Sequence, residues 1–404
     1  MTLLKLSQSS HSGRPRASRV LALLVVSTAT LWPVAPKPPQ KKTVAQKTHK
    51  VVLRPAHLLR AAAVTVRPSR MRAVATGPWH VPTYADSTMG DQFAADDPLV
   101  RRAALDALSS LNGSIVVAEA ETGRVLTIIN QKVAFKDGFE PCSTIKVPVA
   151  LGALNEMVVE RNTPVRLNRW NSIALTDALA KSNNEYFASM GERLGFDRVG
   201  YYARLFGLGE KASLNIEEEQ PGRLPAGIPR GGLGMMTSFG EGISQTPLQL
   251  AAEMVAVANG GTLFFLQYPR TQEEAEAFTP RVKRQLDIEP LIQEVLPGLK
   301  GAVDYGTARR IGSGTSEQIF GKTGTCTDER SPTHLGWFGS FMETPRGKIV
   351  VAVLLTGGRV VSGPLAASIA GQLYRNLEIN GYFLARGQQT EESLIPGFQT
   401  RASR

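Results

Sequence analysis

Two short hydrophobic stretches near residue 115 have the composition of paired β-strands. Residues 113–120 and residues 124–130 are rich in Val, Ile and other residues that favour strands. Glu121-Thr-Gly123 separates them, a polar break with a glycine that is typical of a hairpin turn. We therefore predict an antiparallel strand pair near the start of the folded domain.

The pattern also predicts three strands near the other end of the chain, with helices between the two groups. The strand-like stretches are residues 317–326, 335–342 and 348–356. Helical periodicity occurs over residues 144–160, 175–181, 197–206, 247–259 and 364–379. This arrangement indicates an α+β fold, an antiparallel β-sheet flanked by helices with an all-helical subregion.

The N-terminus has the pattern of an export signal. Four basic side chains precede an apolar stretch at residues 20–35, which as a helix would span roughly 24 Å, less than the ~30 Å hydrocarbon core of a bilayer. It is either a cleaved signal peptide or a short uncleaved anchor. Pro33 and Pro36 crowd its small-residue end and favour the anchor, whereas ten basic residues at positions 37–72 count against it. In either case we expect the main domain outside the cytoplasm.

Charge divides the chain into a basic arm and a nearly neutral domain. The first 85 residues contain 14 Lys and Arg and no acidic residue, whereas the remainder has 32 basic and 35 acidic residues. The domain therefore gives no electrostatic reason to expect a nucleic-acid partner. We predict a cytoplasmic basic region at 1–19, the signal or anchor at 20–35, a flexible basic linker at 36–92, the main domain at 93–384 and a polar tail at 385–404.

Histidine and cysteine are too scarce for most metal or histidine-based chemistry. After the basic arm the sequence has only His80, at the border, and His334, and it contains neither His-x-x-x-His nor Cys-x-x-Cys. We therefore expect no metal and no other cofactor. Gly-x-Ser-x-Gly and Walker A patterns do not occur in the sequence either. Any nucleophile must be activated by a base other than histidine.

Ser143-Thr-Ile-Lys146 offers such a nucleophile and base. The tetrapeptide opens an apolar helical stretch, and residues i and i+3 lie on one face of a helix. A lysine buried near the positive end of a helix dipole should have a lowered pKa, and its neutral amine could take the serine proton. Taken alone, the tetrapeptide could equally be an N-cap serine with a solvated lysine.

Two further elements could complete a site. Lys181-Ser-Asn-Asn184 follows a short helical stretch and offers a hydroxyl, Ser182, close to a carboxamide. Gly321-Lys-Thr-Gly-Thr325 lies inside a β-like stretch, where a glycine is well explained by a ligand that approaches the backbone. Each element alone could also be an ordinary turn.

With these three elements in the order Ser-x-x-Lys, Ser-x-Asn and Lys-Thr-Gly, the chain resembles the penicillin-binding transpeptidase family, which includes the serine β-lactamases. The resemblance covers residues 96–382. It extends to Glu219-Gln-Pro-Gly-Arg-Leu-Pro225, to residues 240–251 and to Gly306-Thr-Ala308. It implies the fold of that family and an acyl-enzyme mechanism.

The resemblance implies a role for each motif residue. Ser143 is the acylated nucleophile, Lys146 is its base, and Ser182 relays the proton toward the leaving amine. The backbone amides of Ser143 and Thr325 form the oxyanion hole. The substrate-binding residues are Asn184, which holds the substrate amide, and Lys322, Thr323, Gly324 and Thr325, whose lysine and hydroxyls bind the substrate carboxylate.

The two cysteines flank the two halves of that implied oxyanion hole. Cys142 immediately precedes Ser143, and Cys326 immediately follows Thr325. If both amides face one oxyanion, the cysteines are neighbours, and an exported protein can join them in a disulfide. The same placement resembles class A serine carbapenemases. The alternative is a pair of buried free thiols.

The resemblance implies a D,D-transpeptidase or D,D-carboxypeptidase that acts on peptidoglycan stem peptides and binds β-lactam antibiotics. It would be held at the membrane of the bacterial cell envelope by its N-terminal segment, or released to the periplasm after cleavage. The oligomeric state stays open.

Two alternatives to this function remain. A serine β-lactamase needs a base for deacylation, and Glu217, Glu218 and Glu219 lie in about the right region, but no Glu-x-x-x-Asn pattern follows them. The cysteine pair is the chief argument for this alternative. A non-catalytic penicillin sensor normally has membrane signalling helices, and the sequence offers one candidate segment.

Overall fold

The computed structural model describes residues 80–136, 138–312, 314–328 and 332–384. The predicted cytoplasmic region 1–19, the apolar segment 20–35, most of the linker 36–92 and the tail 385–404 lie outside the described residues. Within the described ranges, no helix combines the length and the apolarity needed to cross a bilayer.

A five-stranded antiparallel β-sheet joins the two ends of the domain. Its strands are β1 (Gly113–Glu119), β2 (Val125–Ile129), β7 (Ile319–Asp328), β8 (Thr333–Thr344) and β9 (Gly347–Gly357), in the order β2-β1-β9-β8-β7. Two small sheets pair β3 (Val165–Arg166) with β4 (Ser172–Ile173) and β5 (Thr262–Phe264) with β6 (Val282–Gln285). Since β1 pairs with β9, the first hairpin and the last three strands form one sheet, and β7 is left at its edge.

Helices cover both faces of the sheet and form a separate helical region between β2 and β7. They are α1 (Pro98–Leu108), α2 (Gln131–Ala134), α3 (Lys146–Asn155), α4 (Leu175–Ala180), α5 (Asn184–Leu194), α6 (Phe196–Leu205), α7 (Leu233–Phe239), α8 (Pro247–Ala258), α9 (Gln272–Glu276), α10 (Glu289–Asp304) and α11 (Gly363–Ile379). The pair α1 and α11 packs on one face of the sheet and α8 on the other. The predicted α+β architecture is confirmed.

The hydrophobic core has two layers, one on each face of the sheet. In β1, Val116 and Ala118 belong to the layer that includes α8, whereas Ile115 and Val117 belong to the layer that includes α1 and α11. Successive side chains of a strand point to opposite faces. A strand covered on both faces therefore reads as a continuous hydrophobic stretch, which is why this one could be predicted.

The helix that carries Lys146 is shorter than the predicted stretch 144–160. It begins with a 3₁₀ turn, Cys142–Ile145, and its α-helical part ends at Asn155. Met157 then adopts a positive φ of 53°, a conformation that interrupts a right-handed helix. The helices α1, α5 and α10 were not predicted, although each has an apolar face at helical spacing that the sequence contains.

The folded domain begins before the predicted boundary at residue 93. The buried carboxylate of Asp91 lies 3.2 Å from the Arg101 guanidinium and accepts hydrogen bonds from the backbone amides of Asn130 and Gln131 at 3.1 and 2.9 Å. Such a buried pair is stable only when its remaining polar atoms are also bonded. Residues 80–92, assigned by composition to a linker, thus include a segment anchored on α1 and β2.

Candidate active site

Ser143 and Lys146 lie where the 3₁₀ turn passes into α3. The Lys146 ammonium nitrogen is 3.0 Å from the Ser143 hydroxyl. Lys146 is fully buried, whereas Ser143 keeps 8% of its surface exposed. Helical geometry brings residues i and i+3 together, so the local sequence alone sets this contact. The nucleophile candidate can be reached from solvent, and its partner cannot.

The surroundings of the Lys146 nitrogen suit a neutral amine. The Ser182 carbonyl oxygen lies 2.9 Å and the Asn184 side-chain oxygen 2.5 Å from Nζ. Both atoms can only accept hydrogen bonds. A neutral amine has two N–H groups and one lone pair, so donation to these two oxygens leaves the lone pair to accept from one of the two neighbouring hydroxyls, Ser143 at 3.0 Å or Ser182 at 3.1 Å.

Burial lowers the pKa of Lys146 to about 7. Water stabilises an ammonium far better than the protein interior does, so removal from solvent favours the neutral form. Two carbonyl and two hydroxyl dipoles replace part of that solvation. Among the described contacts of this amine there is no carboxylate. A substantial fraction of Lys146 is therefore a free base near neutral pH.

Ser182 and Asn184 reach the site because two helices meet at a tight turn. The turn joins α4 to α5, and Ser182 has a positive φ of 53°, a rare conformation for a residue with a side chain. Asn183 caps α5 by accepting a hydrogen bond from the Tyr186 amide at 2.8 Å. The element is thus a turn, as its composition allowed, and this turn carries the Ser182 and Asn184 side chains to Lys146.

Lys322 on the edge strand β7 approaches the same hydroxyl from the other side. Its nitrogen donates to Ser182 Oγ at 2.8 Å and to the Thr323 carbonyl oxygen at 2.9 Å. Burial lowers the pKa of Lys322 well below its ordinary value, and the nearby charge of Lys146 lowers it further. The Ser182 hydroxyl thus lies between two lysines and can pass a proton between donor and acceptor.

Thr323 and Thr325 point to the opposite side of β7 from Lys322. The Thr323 hydroxyl lies 2.6 Å from the hydroxyl of Thr307, and the Thr325 hydroxyl accepts a hydrogen bond from the Gly363 amide at 2.8 Å. Each of these two hydroxyl contacts leaves at least one hydroxyl proton for another acceptor. Thr307 belongs to Gly306-Thr-Ala308. This segment is part of the family resemblance, but no role was predicted for it from the sequence.

Gly324 allows the edge strand to approach the turn that carries Ser143. A Cβ atom at this position would lie 2.9 Å from the Pro141 carbonyl oxygen and 3.2 Å from the Cys142 Cβ. The first distance is too short for unstrained packing, so a side chain would push β7 away. The glycine allows the close approach of two backbone segments of the protein, whereas the sequence had suggested the approach of a ligand.

A disulfide joins the same two segments. Cys142 and Cys326 are bonded, with their Cα atoms 5.5 Å apart. This separation is typical of disulfides. The bond links the start of the 3₁₀ turn to β7, and it closes a loop with a sequence separation of 184 residues.

Replacement of both cysteines, Cys142→Ser with Cys326→Ser, should lower stability and slow acylation. A loop of this length restricts the unfolded chain, and the chain-entropy argument gives about 5 kcal/mol as an upper value. The double variant should therefore melt at a lower temperature than the oxidised parent and label with a fluorescent penicillin more slowly. When the parent is denatured without reduction and treated with an alkylating reagent, mass spectrometry should find neither cysteine alkylated. Two alkylated cysteines in that sample would contradict the bond.

Two of the three glutamates considered for a β-lactamase base have other partners. Glu219 is fully buried and accepts hydrogen bonds from the Ala212 and Ser213 amides at 2.9 and 2.8 Å. Glu218 pairs with Arg270 at 2.9 Å and lines a separate cleft with it. Glu217 is exposed. Glu219 in particular holds the backbone at Ala212 and Ser213, and its buried carboxylate is not accessible to a water molecule from solvent.

No group of three or more His, Cys, Asp or Glu side chains in the described residues has the arrangement of a metal site. The motif residues instead converge on one small polar cluster of Ser143, Lys146, Ser182, Asn184 and Lys322. Two clefts are lined by neighbours of these residues in sequence, Lys181 in one and Glu140 in the other. One, of about 490 Å³, includes Thr307, Arg309 and Arg310, and the other, of about 510 Å³, includes Glu140, Arg223 and Arg230.

This fold and cluster define a serine–lysine domain, and comparison with known proteins identifies its family. The family model of the penicillin-binding protein transpeptidase domain matches residues 113–375. The chain belongs to this family.

Several relatives and solved structures agree with the assignment. The chain is 26% identical to stage V sporulation protein D of Bacillus subtilis over 62% of this chain and 44% of that protein. It is 26% identical to peptidoglycan D,D-transpeptidase FtsI of Escherichia coli over 69% of this chain and 54% of that protein. The transpeptidase domain of Burkholderia pseudomallei penicillin-binding protein 3 has a TM-score of 0.59 at 20% identity, over 74% of this chain and 94% of that one. The chain spans about half the length of the first two relatives.

Proposed function

We propose that this protein is a peptidoglycan D,D-transpeptidase or D,D-carboxypeptidase that works through an acyl-enzyme on Ser143. The observation that carries the proposal is the buried Lys146 amine, 3.0 Å from the Ser143 hydroxyl and held by two oxygens that can only accept. This arrangement turns a weak nucleophile into a reactive one without histidine. Names of relatives such as peptidoglycan D,D-transpeptidase FtsI support the substrate class.

The first half-reaction transfers the acyl part of a stem peptide to the enzyme. Neutral Lys146 accepts the Ser143 proton as the oxygen attacks the carbonyl carbon between two D-alanines. The tetrahedral intermediate then collapses, the C–N bond breaks, and the proton reaches the departing amine. Ser182 is suited to carry that proton because its hydroxyl contacts Lys146 at 3.1 Å and Lys322 at 2.8 Å.

The carboxylate of the leaving D-alanine would be bound on β7. Thr323 and Thr325 would supply hydroxyls on one side of β7, and Lys322 would contribute its positive charge from the other side, while Gly324 keeps the strand close to Ser143. The cleft that includes Thr307 adds the guanidinium groups of Arg309 and Arg310, which favour a carboxylate nearby. Asn184 would hold the substrate amide after releasing its contact with Lys146.

The second half-reaction depends on the acceptor. An amine from a neighbouring stem peptide gives a cross-link, and water gives a shortened peptide. The structural role of Glu219 argues against a β-lactamase of the class that uses a glutamate after the Ser-x-Asn motif. A β-lactam would therefore acylate Ser143 and leave slowly.

The family and its relatives support a place in the bacterial cell envelope. We propose that the N-terminal segment either holds the domain at the membrane or is cleaved after export. Peptidoglycan stem peptides and β-lactams are the expected ligands, whereas the nearly neutral charge of the domain gives nucleic acid no binding surface.

Incubation with a fluorescent penicillin, followed by removal of free label, tests the proposal. We expect one label per protein molecule and persistence of the label for minutes or longer, because Glu219 is held by the Ala212 and Ser213 amides and Glu218 by Arg270, which leaves neither carboxylate free to activate water. Rapid turnover of a chromogenic cephalosporin would instead identify a β-lactamase. Stable labelling without release of D-alanine from a synthetic stem peptide would identify a penicillin sensor.

A further inference from the structure

Glu253 is a buried carboxyl group that the proposed reaction does not use. It lies on α8 and is fully buried. Its Oε2 atom is 3.1 Å from Gln245 Nε2, and its Oε1 atom has no hydrogen-bond partner among the described residues. Burial of an ionised carboxylate without a cation or several donors is costly. Burial accordingly raises the pKa of Glu253 to about 8, so the group carries a proton at neutral pH.

A short hydrogen-bonded chain leads from Glu253 to the residue after the nucleophile. The side-chain oxygen of Gln245 lies 3.0 Å from the hydroxyl of Thr144. The same hydroxyl lies 2.8 Å from the carbonyl oxygen of Pro141. Thr144 and Gln245 are both fully buried, so water does not replace these contacts. The chain therefore ends on the backbone of the turn that presents Ser143.

The hydrogen bond to Glu253 fixes the orientation of the Gln245 amide. Gln245 Nε2 donates to Glu253 Oε2 at 3.1 Å, and a carboxyl group, whether ionised or protonated, keeps an oxygen that accepts this bond. The amide oxygen is thereby turned toward Thr144, whose hydroxyl can donate to it or to the Pro141 carbonyl oxygen. Without an acceptor at position 253, the amide is free to turn over and present its nitrogen to Thr144.

We propose that Glu253 is a positioning residue for the nucleophile, acting through Gln245 and Thr144 to hold the Pro141–Thr144 turn. The backbone of Gln245 supports the same segment, because it exchanges hydrogen bonds with Phe139 at 2.8 and 2.9 Å. Pro141 is also the residue against which Gly324 packs. A loosened turn would therefore move Ser143 relative to both Lys146 and β7. This inference rests on the proposed acyl-enzyme function.

The test compares Glu253→Gln with Glu253→Leu by the rate of labelling with a fluorescent penicillin. The amide of Glu253→Gln has an oxygen that can accept from Gln245 Nε2 as the carboxyl does, so its rate should stay within about twofold of the parent. Glu253→Leu fills the space without an acceptor, and its rate should fall about tenfold or more, since small misplacements of reacting groups are expensive. Thr144→Val should reproduce this loss, and the double variant should be no slower than the slower single variant.

Tyr374→Phe is the matched control. It removes a buried hydroxyl that lies 3.1 Å from Ser340 on the α11 face of the sheet, so it should lower the melting temperature without slowing the labelling. A folded Glu253→Leu that labels at the parental rate would overturn the proposal, as would a Glu253→Gln that is as slow as Glu253→Leu. If Glu253→Leu does not fold, a parental rate in Thr144→Val overturns it. A parent protein that does not label at all would refute the acyl-enzyme function instead.

Discussion

Ser143→Ala should abolish covalent labelling by any β-lactam. The parent should gain the mass of one β-lactam, and peptide mapping should find the adduct on Ser143. The variant loses the hydroxyl that lies 3.0 Å from the Lys146 amine at the start of α3. Removal of the nucleophile of an acyl-enzyme leaves no covalent route, so the expected change is from complete labelling to none.

Ser368→Ala serves as the matched control for this experiment. Its hydroxyl donates to the Leu365 carbonyl oxygen within α11 at 2.7 Å, remote in the fold from the motif residues, and labelling should match the parent. Equal melting temperatures of Ser143→Ala and the parent would show that the fold is intact. An adduct at another residue, or labelling that survives in Ser143→Ala, would refute the assignment of the nucleophile and with it the proposed mechanism.

Lys146→Met should have the second largest effect, a fall of about 10²–10⁴ in the acylation rate constant, the usual contribution of a general base. Methionine matches the length and burial of the lysine side chain but cannot accept a proton. The variant should still fold, because a buried amine is replaced by an apolar group. Lys300→Met, which removes an exposed lysine paired with Asp304, should label normally. Parental labelling of Lys146→Met would exclude the lysine as the base.

The acylation rate of the parent should also depend on pH with an inflection near 7. The pKa of Lys146 is lowered to about 7 by burial, and only the deprotonated amine can accept the Ser143 proton. The rate should therefore be low at pH values below the pKa, rise as pH passes through it and level off above. Residual acylation in Lys146→Met should lack this inflection. A stopped-flow pH profile of the two proteins measures the difference.

The strands were predictable because both faces of the sheet are covered. Each predicted strand overlaps an observed one within a few residues, since continuous hydrophobic stretches are required for burial on two sides. The ends of the helices were harder to predict from the sequence. The stretch 144–160 has a helical pattern, yet the positive φ of Met157 interrupts it. Likewise α5 begins at a cap, Asn183, that periodicity does not reveal.

Sequence spacing alone determined the contact between Ser143 and Lys146, because three residues make nearly one helical turn. It also determined which residue types could supply chemistry, since so few histidines and cysteines are present. The order of the three motifs carried the family resemblance.

Only the tertiary structure decided how the separate motifs meet. The pairing of β1 with β9 and the packing of α10 against α4 and β7 bring Ser182 and Lys322 within 2.8 Å, although 140 residues separate them in sequence. The same packing removes Lys146 from water and so lowers its pKa. It also buries Glu253, on α8, against Gln245 in the segment before that helix. This contact bears on the site because Gln245 also contacts Thr144. Long-range contacts and desolvation depend on the whole fold, and no local pattern encodes them.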